Sequence, residues 1–197
     1  MIHPNTELKF INNVVGYGVV ATEFIPAGTI TWALDKLDTE YTQKEFNNME
    51  PVYQEIMETY TYRNNLGNLV LCWDHGKYVN HSFNSNCLTT AYDFEIAIRN
   101  IQKGEELTDD YGYLNISEPF NGIEEGTERK VVYPNDLLNY HQIWDEKLKA
   151  VFNQITKLNQ PLQPFVPKDT WTKVNQIIQG EIKMESILSN YFDGNSN

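Results

Sequence analysis

Three short segments hold the residue types with which this chain could do chemistry. In the first, Val15 to Ala21, the pair Gly16 and Gly18 flanks Tyr17, and glycines so spaced let backbone amides come close to a ligand between two strands. The second, Tyr78 to Cys87, crowds Asn80, His81, Ser82, Asn84 and Asn86 together, a donor and acceptor set that suits either a polar ligand or a self-satisfied turn. The third runs from Ile98 and ends in Asp109, Asp110, Tyr111, Gly112 and Tyr113, where two phenols next to a glycine either wall a site or fill a core.

Each segment alone supports other chemistry. Gly16 to Ala21 fits the dinucleotide pattern Gly-x-Gly-x-x-Ala, with acids at Asp35 and Asp38 near the expected distance. That fold needs a helix to begin in the glycine turn, and β-branched Val19 and Val20 followed by Pro26 and Gly28 oppose one. Cys87 or Cys72 with His81 as base would make a thiol nucleophile, but no third, orienting group is evident. Cys72, Asp74 and His75 are metal-ligating types, crowded on one strand end without a fourth partner.

The elements that must position these residues are mostly strands in the first two thirds. Leu8 to Ile11, Gly18 to Thr22 and Thr29 to Ala33 read as short strands broken by Asn12-Asn13, Pro26 and Gly28. Thr42 to Glu45 has the capping-box pattern and opens a helical stretch to Tyr60, which Pro51 divides. Strands resume at Asn68 to Trp73 and at Phe94 to Arg99, the latter alternating like a half-buried strand. Beyond Pro134, Leu137, Leu138, His141, Trp144, Leu148, Val151, Phe152, Ile155 and Leu158 recur at helical spacing and predict one apolar helix face. Pro161 to Pro167 breaks that helix, and Asp169 is placed to cap a second one reaching about Phe192.

The chain has 197 residues, room for one core with appendages rather than two full domains. Its 27 acidic against 15 basic residues give a formal charge of −12, which disfavours tracking a phosphate backbone and favours basic partners, or serves solubility alone. Two cysteines are too few to staple such a fold or to build a cysteine zinc cluster, and they suit a reducing compartment. No stretch approaches the roughly 18 to 20 apolar residues of a membrane span, and no secretory leader is evident. The expectation is an intracellular, cytoplasmic protein, with the nucleus left open.

Taken together and in order, the segments resemble the SET-domain family. The Gly-x-Gly turn is followed by Ala21, Ile25 and Gly28 in the spacing A-x-x-x-I-x-x-G; then come Asn80-His81-Ser82 with Asn86, and Ile101 to Gly112 matches I-x-x-G-E-E-L-T-x-D-Y-G. The resemblance implies a mainly β fold with appended helices, in which the Asn-His and Tyr-Gly segments thread together as a pseudo-knot. A SET domain is expected over 5–119, with a helical insert at about 42–60, and a closing segment plus C-terminal helical hairpin over 120–197. The hairpin is either structural or a surface for a homodimer or partner. The chain departs from the pattern at Ser85, where proline is usual, at Phe83 for cysteine and at Lys77 for arginine. Asp109 replaces the aromatic residue two before the tyrosine, so the family's reasoning on methyl number does not carry over. The zinc-binding cysteines that often follow are missing, so residues 116–134 and the next helix must close the site without metal.

The implied activity is methyl transfer from S-adenosylmethionine to a lysine of a protein or peptide. Gly16, Tyr17, Gly18, Asn80 and His81 are expected to hold the donor, Tyr111 to be catalytic, and Tyr113 and Tyr62 to wall the channel, with Trp73 a further aromatic better suited to core packing. A lysine amine, with a reference pKa near about 10.4, must lose a proton before attack, and burial beside a sulfonium favours that. Tyr111 is expected to orient the amine, not to act as base. The competing reading is a SET-fold binding module without turnover.

Overall fold

A computed structural model describes residues 1–194, three short of the end of the expected closing unit. Strands β1 (Thr6–Asn12) and β2 (Gly16–Ala21) form a hairpin, followed by β3 (Ile30–Ala33) and β4 (Thr39–Tyr41). The insert holds α1 (Gln43–Asn47) and α2 (Pro51–Tyr60), then β5 (Thr61–Arg63) and β6 (Leu69–Leu71). Thr42 caps α1 through the expected box, its hydroxyl accepting from the Glu45 amide at 3.2 Å while the Glu45 carboxylate accepts from the Thr42 amide at 2.8 Å. The helical stretch does divide at Pro51: the first helix ends at Asn47, and Pro51 begins the second, since at the first helical position its missing N–H has no bond to lose.

The remaining strands are β7 (Asn80–His81), β8 (Cys87–Thr89), β9 (Phe94–Ala97), β10 (Glu106–Asp109), β11 (Phe120–Asn121) and β12 (Val131–Val132). They make small sheets with strand orders β1-β2-β10-β7, β3-β9-β8 and β4-β6-β5, plus the β11-β12 ribbon. Strand β10 lies antiparallel to β2 and parallel to β7, so Thr108 pairs with Asn80 and Asp109 with His81. This parallel contact brings the second and third segments side by side, next to the glycine turn.

Helix α3 (Asp136–Phe152) turns Leu137, Trp144, Leu148 and Phe152 inward at helical spacing. They join Leu88, Phe94, Ile96 and Tyr113 in one core cluster, so this helix seals the back of the β3-β9-β8 sheet. Full burial of each such apolar side chain contributes roughly 1.5–3 kcal/mol. Leu138, expected on the same face, is instead 44% exposed. The helix stops at Phe152, and Ile155 continues the buried stripe from a 3-10 turn. Beyond it, Gln160 is buried and pins this segment to β3: its amide donates to the Gly28 and Ile155 carbonyls and accepts from the Ile30 amide, all within 2.9 Å.

Helix α4 (Lys168–Ile178) is shorter than expected. Gly180, with φ of +77°, ends the helical path, and Ser186 caps a separate 3-10 turn at Ile187–Asn190, so no single helix reaches Phe192. Asp169 lies in the first turn while Pro167 holds the cap position, because a residue before Lys168 with fixed φ already sets the entry angle.

Candidate active site

Gly16 opens β2 with φ of +75° and open space where a side chain would project. Gly18 is required by crowding: a Cβ there would lie 2.2 Å from Glu106 Oε1 and 2.9 Å from Asn80 Nδ2. The two polar groups are in place because the Asn80 amide donates to the Tyr17 carbonyl at 3.0 Å and to Glu106 Oε1 at 2.7 Å. Asn86, fully buried, ties the same strands by donating to the Glu106 carbonyl at 2.7 Å and accepting from the Thr108 amide at 2.9 Å.

His81 connects this group to Tyr111. Its Nδ1 accepts from the Tyr111 amide at 3.1 Å, so the ring is the neutral tautomer protonated on Nε2. Burial holds its pKa below the usual histidine value. Nε2 itself is buried with no partner, an orphaned donor inside a wall of Phe83, Phe120 and Tyr111 rings. The Tyr111 hydroxyl donates to the Val79 carbonyl at 2.6 Å. Burial first, then the Asp109, Glu95 and Glu106 carboxyls, push the phenol well above its ordinary pKa, so it stays protonated at neutral pH.

Tyr111 also lines a cleft of about 1230 Å³, together with Tyr62, Tyr113, Trp32, Val79 and Phe120. Gly16, Tyr17, Gly18, Asn80 and His81 lie outside that lining. The expected site residues therefore fall into two groups joined at Tyr111. Tyr113 is 1% exposed, its hydroxyl bonded to Asp109 Oδ1 at 2.7 Å and its ring edge-on to Trp144. Tyr62 stands edge-on to Trp32, with ring centroids 5.9 Å apart. Trp73 is neither core nor cleft: it is 44% exposed and donates to Asp35 Oδ2 at 3.0 Å, since β6 ends at Leu71 and the chain turns outward there.

The closing segment is held by polar contacts that the sequence did not announce. Glu125 Oε2 accepts from Ser82 Oγ at 2.9 Å and from the Phe83 amide at 3.0 Å. Arg129 forms ion pairs with Asp110 and Asp136, both almost fully buried, and its guanidinium packs over the rings of Tyr140 and Phe83 at 4.5 and 4.9 Å. Asp110 also caps the Tyr111–Tyr113 turn by accepting from the Gly112 amide, so Arg129 steadies the turn that presents Tyr111. Nothing local in sequence links these residues; only the capping pattern of Asp110 before Gly112 was a readable signal.

Both cysteines are free and buried, and burial pushes both thiols well above the ordinary value, the opposite of what a nucleophile needs. Asp74 is engaged with the Ile2 and Gly76 amides, and His75 with Thr6 Oγ1. Among the described residues, no group of three or more His, Cys, Asp or Glu side chains is arranged to hold a metal, and no helix is long and apolar enough to cross a membrane.

Residues 16–112 match the family model described as the SET domain. A crystal structure from Plasmodium falciparum, provisionally described as a histone methyltransferase, is similar at 19% identity and a TM-score of 0.42, covering 56% of this chain and 95% of that one. The comparison with curated proteins found no match.

Proposed function

The chain is a SET-domain protein, and from that premise we propose that it transfers a methyl group from S-adenosylmethionine to a lysine side chain of a protein. The observation that carries this reading is the position of Tyr111, whose ring lines the cleft while its amide is bonded to His81 of the glycine and Asn-His group. A residue with one side in each group is where an acceptor and a donor would meet.

The donor group would be held by Gly16, Tyr17, Gly18, Asn80 and His81, and two features here fit such a ligand. One is the open space beside Gly16; the other is the orphaned Nε2–H of His81 within an aromatic wall. When bound, the donor supplies an electrophilic methyl on sulfonium. Tyr111 orients the acceptor amine, and Tyr62 and Tyr113 shape the channel and keep water from it. Holding the nitrogen in line with the methyl removes orientational entropy, a contribution of up to about 7–11 kcal/mol in well-aligned systems. Tyr111, a protonated phenol, is unsuited to take the proton. The acidic surface speeds encounter with a basic peptide more than it tightens binding.

Tyr111→Phe tests the reading. Single-turnover transfer from labelled donor should fall at least about 100-fold, roughly 3 kcal/mol of transition-state stabilisation, with donor affinity changed less than about tenfold. Stability should drop by about 1 kcal/mol as the Val79 carbonyl loses its donor. Transfer at the wild-type rate would remove Tyr111 from the mechanism. A wild-type protein that binds donor yet methylates nothing in a broad panel of lysine peptides would make this chain the binding module instead.

A further inference from the structure

Within the cleft, Asp109 meets a second carboxyl. Glu95 lies on β9, and its carboxyl is hydrogen-bonded to that of Asp109 on β10. Asp109 is 4% exposed and Glu95 half-buried, and both line the cleft, as does Tyr111. The Tyr113 hydroxyl donates to Asp109 Oδ1 at 2.7 Å. Among the described residues, no Lys, Arg or His side chain forms an ion pair with either acid. Taking a carboxylate out of water without a cationic partner is costly, so a pair left this way in the lining of a cleft favours a cation from outside. A second feature also points to a ligand in the cleft, since it leaves a donor for an acceptor atom of whatever enters. Trp32 pairs with Glu95 across the β3–β9 register, lines the same cleft at 5% exposure, and has an indole N–H without a partner. Its ring and that of Tyr62 offer aromatic faces of the kind that attract an ammonium.

We propose that the Glu95–Asp109 pair holds the ammonium of the substrate side chain and takes its proton, acting as the base that Tyr111 is unable to be. The step balances simply: an N–H bond of the ammonium breaks, an O–H bond forms on the pair, and one positive and one negative charge become two neutral groups. The free amine is then the nucleophile that accepts the methyl, the pair keeps the proton until product leaves, and water removes it afterwards. In a buried site this neutralisation is favoured because two charges leave a medium that solvates them poorly. The inference rests on the proposed methyl transfer for its second half, but the ammonium site stands on the cleft alone.

The charge of the pair is set by its surroundings. Burial and the neighbouring Asp109 charge raise Glu95 well above the usual carboxylate range. Burial pushes Asp109 up to about 6, against the lowering hydrogen bonds from Tyr113 and Glu95. The other groups facing the pair are Tyr62, Tyr111, Tyr113, Cys72 and Cys87, all shifted up and neutral at pH 7, with Asp110 paired to Arg129 and the N-terminal amine acting on Glu95 from a distance. Asp109 therefore carries a negative charge at neutral pH, which the pair loses as pH falls through about 6.

The test uses n-butylammonium as probe and 1-butanol as its neutral counterpart, titrated into the full chain by calorimetry. The wild-type protein should prefer the ammonium at least tenfold, and that preference should vanish as pH is lowered through about 6, a result that needs no variant. In Glu95→Gln/Asp109→Asn the preference should be lost at pH 7 with the thermal transition retained. In methyl transfer to lysine peptides, the same variant should be slower by about 100-fold or more, the scale of general base catalysis. Equal binding of ammonium and alcohol by the wild type overturns the ammonium site. Wild-type transfer that the double variant matches in rate and pH profile overturns the base while leaving the methyltransferase standing. An ammonium preference in a protein that transfers no methyl overturns both the methyltransferase and the base.

Discussion

Replacing Gly18 by valine asks whether the glycine turn holds the donor. The new Cβ would meet Glu106 Oε1 at 2.2 Å and Asn80 Nδ2 at 2.9 Å, so one of them must move. Glu106 yields first, since the contact is with the far end of a flexible side chain, and its departure breaks the 2.7 Å bond from Asn80. Asn80 then shifts and weakens its 3.0 Å bond to the Tyr17 carbonyl. Two net hydrogen bonds at about 1 kcal/mol each give about 2 kcal/mol of lost site order, which is roughly 30-fold in donor affinity. Folding loses less than that, because a β-branched residue suits a strand interior and recovers part of the cost. Calorimetric titration with S-adenosylmethionine, set beside a thermal melt of the same sample, separates the two effects. A folded Gly18→Val protein with wild-type donor affinity would refute the assignment of Gly16, Tyr17, Gly18 and Asn80 to the donor.

Two further outcomes complete the set with Tyr111→Phe and the acid pair. Arg129→Met leaves Asp110 and Asp136 buried without their cation, so stability should fall by about 3–5 kcal/mol, visible as a thermal midpoint lower by roughly 10 °C; an unchanged midpoint would show that the closing segment does not depend on this network. Chelator treatment should leave the transfer rate unchanged, because the closing segment is fastened by Glu125 and Arg129 in place of cysteines; stoichiometric zinc measured in the purified protein would contradict this.

Much of the fold was legible because the deciding interactions are local. The Thr42–Glu45 box, the division at Pro51 and the stripe from Leu137 to Phe152 depend on neighbours within a turn or two, so residue spacing alone predicts them. The ordered segments around Gly16–Gly18, Asn80–His81 and Tyr111 also marked the candidate site, since each is a short run with its chemistry intact. Where local signals competed, reading failed. The turn at Gly180 shortened α4 against its apolar pattern, a proline entry moved its start ahead of Asp169, and Trp73 left the core because its strand ends two residues earlier.

The site's electrostatics were decided only in three dimensions. Asp109 was visible in sequence as a departure from the family pattern, but not as half of a carboxyl pair. Glu95 looked like an ordinary polar position in an alternating strand, and it reaches Asp109 only because β9 pairs with β3 and β8 while β10 pairs with β2 and β7. Arg129 likewise meets Asp110 and Asp136 only once the closing segment is folded against the Tyr111–Tyr113 turn and the start of α3. Charge, burial and hydrogen bonding act through space, whereas spacing in a sequence constrains only what lies within one element; so the chain's residue order determined the kind of chemistry available, and the packing of its sheets decided which acids would face the cleft.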